Sequence, residues 1–128
     1  MIYRFLGVDV AQAVHDRQLA EHGGLAGVKD HGLLEAAIAR PLNKHSYGVQ
    51  DPCDLAAAYA FGIARNHPFA DGNKRTAWVM ARLFLRLNGV TIVFDKADAI
   101  SAMLALASGS MAEDDFAAWF RVRVVTSE

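Results

Sequence analysis

The chain has 128 residues, 53% of them hydrophobic and 21% charged, which supports one buried core and excludes both disorder and a second independent domain. A formal net charge of −1, with acidic and basic residues interspersed, excludes the broad cationic footprint needed to grasp nucleic acid or an anionic membrane, so any anion must be held locally. No apolar run approaches the ~20 residues that span a bilayer, and a lone Cys53 without an N-terminal signal peptide predicts a soluble protein of the reducing cytoplasm.

Ile2 to Leu6 has some strand character. Val10 to Glu21 reads as a helix stopped by Gly23-Gly24, and Gly32 to Arg40 as a shorter one ended by Pro41. Pro41 to Pro52 is then the longest irregular stretch, and it carries Asn43, Lys44, His45, Ser46 and Tyr47; exposed segments of this length often serve function. Leu55, Ala58, Tyr59, Gly62 and Ile63 repeat at helical spacing after an Asp54 cap, so a core helix is expected over 54–66.

A second clean stripe, Ala77, Met80, Leu83, Phe84 and Leu87, predicts a helix from about Asn73 to Leu87, with Asn88-Gly89 as its stop. Thr91 to Phe94 reads as a strand. Ile100, Met103, Leu104 and Ala107 form a helical stripe ending at Gly109, and Phe116, Trp119 and Phe120 form another, with Ser110 and Glu113 spaced as a capping box. The predicted fold class is mainly α, with at most a small β element.

Between the two best helices lies His67-Pro68-Phe69-Ala70-Asp71-Gly72-Asn73-Lys74-Arg75. Pro68 disfavours helical φ/ψ at His67, so the preceding helix ends there. Gly72 permits a tight turn, and the next helix begins with N–H groups that have no intrahelical acceptor. Lys74 and Arg75 fall in that first turn, where the helix dipole penalises each cation by roughly 0.3–1 kcal/mol; a bound polyanion, phosphate above all, reverses the balance.

Asp71 beside this cradle suits Mg²⁺, which takes one or two carboxylates and fills its remaining positions with phosphate oxygens and water. His67 has the chemistry of a general base for an attacking hydroxyl. Each piece alone has an ordinary reading: a helix-end histidine, a turn, a solvated basic face, and Phe69 as a core anchor. Their co-occurrence within nine residues points to chemistry on a nucleoside triphosphate.

The same nine residues resemble the Fic-domain signature, His-x-Phe-x-Asp/Glu-Gly-Asn-x-Arg, at every specified position. Most Fic adenylyltransferases have Gly where this chain has Lys74 and a further Arg where it has Trp78. Lys74 followed by Arg-Thr-Ala resembles instead the death-on-curing (Doc) branch of the family. His22-Gly-Gly-Leu25 with Gly27 and Asp30, the Glu35 to Arg40 helix, and Phe84-Leu-Arg-Leu-Asn-Gly89 extend the likeness.

The resemblance implies a compact six-helix Fic fold and a toxin of a toxin–antitoxin system that transfers the γ-phosphate of ATP to a threonine of elongation factor Tu. By position it implies His67 as base and Asp71 as Mg²⁺ ligand, with Gly72, Asn73, Lys74 and Arg75 holding phosphates. It further implies that Pro41 to Pro52 is the flap that positions the target. Many Fic proteins carry an inhibitory Ser/Thr-x-x-x-Glu-Gly/Asn string that is absent here, so restraint is expected from a Phd-like antitoxin whose C-terminal segment docks in a groove. AMP transfer is the nearest alternative. A non-catalytic nucleotide- or phosphoprotein-binding module and a ribonuclease are readings of other classes; the neutral net charge and the lack of an aromatic-basic surface disfavour the last.

Overall fold

The computed structural model describes residues 2–125, and its elements in chain order are α1 (Val8–His22), α2 (His31–Ser46), α3 (Pro52–Asn66), α4 (Asn73–Leu87), β1 (Thr91–Ile92), α5 (Lys96–Ser108), α6 (Glu113–Arg121) and β2 (Val124–Val125). Helices dominate, as the spacing of apolar residues predicts. Among the described residues the one small sheet pairs β1 with β2 antiparallel, Thr91 opposite Val125 and Ile92 opposite Val124.

The centre is α3. Ten of its fifteen residues are buried, and a helix apolar on nearly all sides must be enclosed by others. Its run of alanines, with Gly62, lets neighbours approach closely; a Cβ on Gly62 would lie 3.0 Å from the Cα and carbonyl oxygen of Ala37 on α2. The amphipathic α4 lays Ala77, Met80, Ala81 and Phe84 into the same core. Cys53 is buried at the start of α3, and burial pushes its thiol up to about 12, with the Asp51 carboxylate adding to the shift. It stays an uncharged thiol at neutral pH and packs as a small apolar group.

Several sequence expectations change at element ends. Asp51, not Asp54, caps α3, accepting the Cys53 N–H at 2.8 Å; Pro52 then takes the first helical position, where its missing N–H costs nothing. Pro41 does not end α2, which continues to Ser46. An interior proline costs ~3 kcal/mol or more, and tertiary contacts offset it here: Pro41 is itself buried, Lys44 and Arg40 both bind Glu113, and the His45 ring packs edge-on against Tyr3 and Phe5. The predicted irregular stretch therefore shrinks to Tyr47–Asp51.

The capping box is likewise absent. Glu113 is drawn away to Arg40 and Lys44, Ser110 bonds the Ala105 carbonyl, and Ala112 starts α6 with no side-chain cap. Ile2 to Leu6 forms no strand and joins no sheet among the described residues. The Tyr59 hydroxyl takes the Leu6 N–H at 2.7 Å and donates to the Leu6 carbonyl at 3.0 Å, Asn88 brackets Arg4, and the Tyr3 hydroxyl donates to the Gln50 carbonyl. Side chains here do what a partner strand would do. Among the described residues no helix is long and apolar enough to cross a membrane.

Candidate active site

His67 caps the C-terminus of α3 in the left-handed conformation, φ 49° and ψ 55°, and is the only non-glycine residue with positive φ among those described. Pro68 disfavours the right-handed helical region for the residue before it, and the His67 N–H still reaches the Ile63 carbonyl at 3.2 Å. That backbone costs of order 1–3 kcal/mol and persists only because the surroundings impose it. The imidazole is exposed. Asn73 Nδ2 lies 3.5 Å from its Nδ1, at the outer limit of a hydrogen bond, so the contact restrains the ring without assigning its proton to one nitrogen.

The loop is fastened at its middle. Phe69 is buried and stacks on the His15 ring of α1, with centroids 3.9 Å apart and planes 8° from parallel. Asn73, buried at the first position of α4, accepts the Phe69 N–H at 3.0 Å and donates to the Phe69 carbonyl at 2.9 Å. The Asn73 side chain is thus committed to the loop; what it can offer an anion is its backbone N–H.

Asp71 is exposed, and its carboxylate accepts two backbone N–H groups, Gly72 on Oδ1 at 2.8 Å and Leu25 on Oδ2 at 3.3 Å. Its backbone carbonyl binds His15 Nε2 at 2.7 Å. Gly72 then turns through the left-handed region, φ 73°, into α4, whose N-terminus has no side-chain cap. Lys74 and Arg75 project from this first turn, both exposed, and neither pairs with a carboxylate among the described residues. An uncapped helix start with two unpaired cations has the chemistry to hold an anion locally on a protein of nearly zero net charge.

Lys74 and Arg75 also edge a groove of about 560 Å³, floored by Trp78 and walled by α5 through Ile100, Met103 and Leu104. Ile100 and Leu104 are half exposed.

The segment that borders the loop is not Pro41 to Pro52. Lys29 and Asp30 donate to the Pro68 carbonyl at 2.8 and 3.1 Å, the Ala70 N–H reaches the Gly27 carbonyl at 3.1 Å, and Val28 bridges Phe69 in antiparallel fashion. Tyr47–Asp51 instead leads into the N-terminus of α3, and fifteen helical residues set it about 22 Å from His67. The Pro41 to Pro52 segment, which the family resemblance implies to be the flap, therefore lies at the opposite end of α3 from His67, and the residues beside the loop are Gly24 to Asp30.

A profile of the Fic/DOC family matches residues 5–85, which cover α1 to α3, the whole loop and α4 as far as Leu85. The chain belongs to the Fic/DOC family. It is 40% identical over 100 residues to "Protein kinase doc" of Escherichia phage P1, covering 77% of this chain and 79% of that protein. It is 50% identical over 76 residues to "Toxin Doc" of Mycolicibacterium smegmatis, covering 57% of this chain and 58% of that one.

In this Fic/DOC chain the six predicted site residues lie together, His67, Asp71 and Gly72 on the loop between α3 and α4 and Asn73, Lys74 and Arg75 in the first turn of α4. The donor set fits Mg²⁺ held together with a polyphosphate. Among the described residues no three His, Cys, Asp or Glu side chains converge as a cage, while the Asp71 carboxylate is exposed, fixed by two N–H groups and set beside the uncapped start of α4. Sequence reading missed His15, Gly24 and Leu25 as supports of Asp71. The Gly-Gly pair carried a trace of it: a Cβ on Gly24 would stand 2.8 Å from Asp71 Oδ2.

Proposed function

We propose that this protein is a toxin kinase that transfers the γ-phosphate of ATP to a threonine hydroxyl of elongation factor Tu and so arrests translation in the cytoplasm. The observation that carries the reading is the pairing of an exposed His67 with an uncapped α4 N-terminus bearing unpaired Lys74 and Arg75. The names of the two relatives, one a kinase and one a toxin, support it.

In this reading the triphosphate lies on the N–H groups of Asn73 to Arg75, with Lys74 and Arg75 offsetting its charge. Asp71 is the residue that would hold Mg²⁺, which supplies charge neutralisation between the phosphates. His67 removes the proton of the threonine hydroxyl as its oxygen bonds to the γ-phosphorus. The bond from that phosphorus to the β,γ-bridging oxygen breaks, and ADP leaves. Little covalent work falls to the protein; positioning and fixed charge do most of it. The segment Gly24 to Asp30, already paired with the loop, is the place for the target peptide beside His67.

Lys74 favours phosphate over AMP transfer. A cation in the first turn of α4, where AMP-transferring relatives have glycine, both fills space and draws the end of the polyphosphate bearing the most charge. The 560 Å³ groove suits a Phd-like antitoxin: Trp78, Ile100 and Leu104 offer an apolar lining for an amphipathic helix, and Lys74, Arg75 and Lys96 at its edge favour acidic residues on that helix. Incubation with elongation factor Tu and ATP labelled at either the α or the γ position tests the transfer. Label from the γ position supports the kinase; label from the α position alone establishes AMP transfer instead.

A further inference from the structure

We infer that His15, on α1 and outside the loop, is a positioning residue that fixes Asp71 for its metal; this rests on the proposed role of Asp71. His15 is 2% exposed, and its environment uses both properties of an imidazole. The ring face stacks on Phe69 at 3.9 Å, and Nε2 meets the Asp71 carbonyl oxygen at 2.7 Å. A carbonyl only accepts, so Nε2 carries the proton and donates.

The consequence is local. Asp71 is held at its carbonyl by His15, at Oδ1 by the Gly72 N–H and at Oδ2 by the Leu25 N–H. The carbonyl contact sets the peptide plane from which the side chain projects, and the two N–H contacts set the carboxylate rotamer. Leu19, one turn further along α1, packs behind the same turn: its Cδ2 lies 3.0 Å from where a Cβ on Gly24 would stand and 3.8 Å from one on Gly72. The α1 helix is thus the back wall of the loop, and His15 is its one polar contact with Asp71. A histidine that merely filled the core would need the stack and not the donor.

The substitutions separate these two parts. His15→Phe keeps an aromatic face for Phe69 and removes the donor, whereas His15→Gln restores a donor near the Nε2 position without the ring. ATP binding to each intact protein is measured by calorimetry with and without Mg²⁺, and the metal-dependent gain in affinity is compared. Partners that orient a metal ligand typically contribute 10–100-fold in metal affinity, so His15→Phe is expected to lose about tenfold or more of the gain, and His15→Gln to recover most of it.

Amide hydrogen exchange supplies a readout independent of metal. Leu25 and Gly72, whose N–H groups bind the Asp71 carboxylate, are expected to exchange faster in His15→Phe, while Ala70, held by the Gly27 carbonyl, stays unchanged. A wild-type metal gain in His15→Phe, equal losses in both variants, or exchange that is unchanged or uniformly faster overturns the assignment. Should His15→Phe fail to fold, His15→Met serves as the donor-free variant in the same comparison. If the unaltered protein binds ATP with no metal dependence, the proposed chemistry fails, and the Leu25 and Gly72 exchange still decides the role of His15.

Discussion

Asn73 brackets the backbone of Phe69, accepting its N–H at 3.0 Å and donating to its carbonyl at 2.9 Å, both inside the core. The residue that opens α4 is therefore also the clasp that folds the loop back on it.

Loss of that clasp should affect stability as well as activity. Asn73→Ala leaves a buried N–H and a buried carbonyl without partners, each costing about 1–3 kcal/mol. The expected loss is thus on the order of 2–6 kcal/mol in urea unfolding, together with loss of transfer. Asp71→Ala, by contrast, removes an exposed side chain and should cost little stability while abolishing transfer. Equal stability of Asn73→Ala and the unaltered protein would show that the bracket carries no weight.

Gly24 is constrained twice, by φ 122° and by the Asp71 carboxylate 2.8 Å from the site of a Cβ. Gly24→Ala should displace that carboxylate and lower kcat/KM by tenfold or more, about 1.4 kcal/mol in the barrier, while leaving the helical content by circular dichroism unchanged. Gly23→Ala is the comparison: its φ of 77° is also strained for a residue with a Cβ, but no atom lies within 4 Å of an added Cβ. Similar activity in the two variants would argue against the contact with Asp71.

How much of this was legible in advance depended on whether the signal was local. The α4 boundaries, Asn73 and Leu87, were readable because Gly72, a clean apolar stripe and Asn88-Gly89 all agree. The loop was readable because its chemistry is contiguous. Pro41 misled, since its local cost is outweighed by contacts with Glu113, Tyr3 and Phe5 that only the fold brings together. His15 lies 56 residues from Asp71, on a helix whose weak amphipathicity marks no inward face, so nothing local connects the two. β2 escaped notice for a similar reason: two valines form a strand only because Thr91 and Ile92 are beside them.

Asp51 gives the fold a defined acid response. Burial raises its pKa, but the Arg121 hydrogen bond and the Cys53 N–H outweigh burial and hold the carboxyl below its usual value. A lowered folded value means a stabilising contribution that is present above the unfolded pKa, about 3.9, and lost as pH falls through the folded value. Asp51→Asn, which keeps an oxygen to cap Cys53, should destabilise at neutral pH and differ progressively less from the unaltered protein in acid. Asp51→Ala should cost about 1 kcal/mol more across the range through loss of the cap. A difference between Asp51→Asn and the unaltered protein that does not shrink with falling pH would contradict this.

The central claim is that the turn from His67 to Arg75 moves a terminal phosphate. Intact-mass spectrometry of elongation factor Tu after incubation with the protein, ATP and Mg²⁺ tests it directly, with His67→Ala as the inactive control. The predicted result is a mass increase of one phosphate that disappears in the control; an increase of one AMP, or a phosphate increase that survives in His67→Ala, would contradict it.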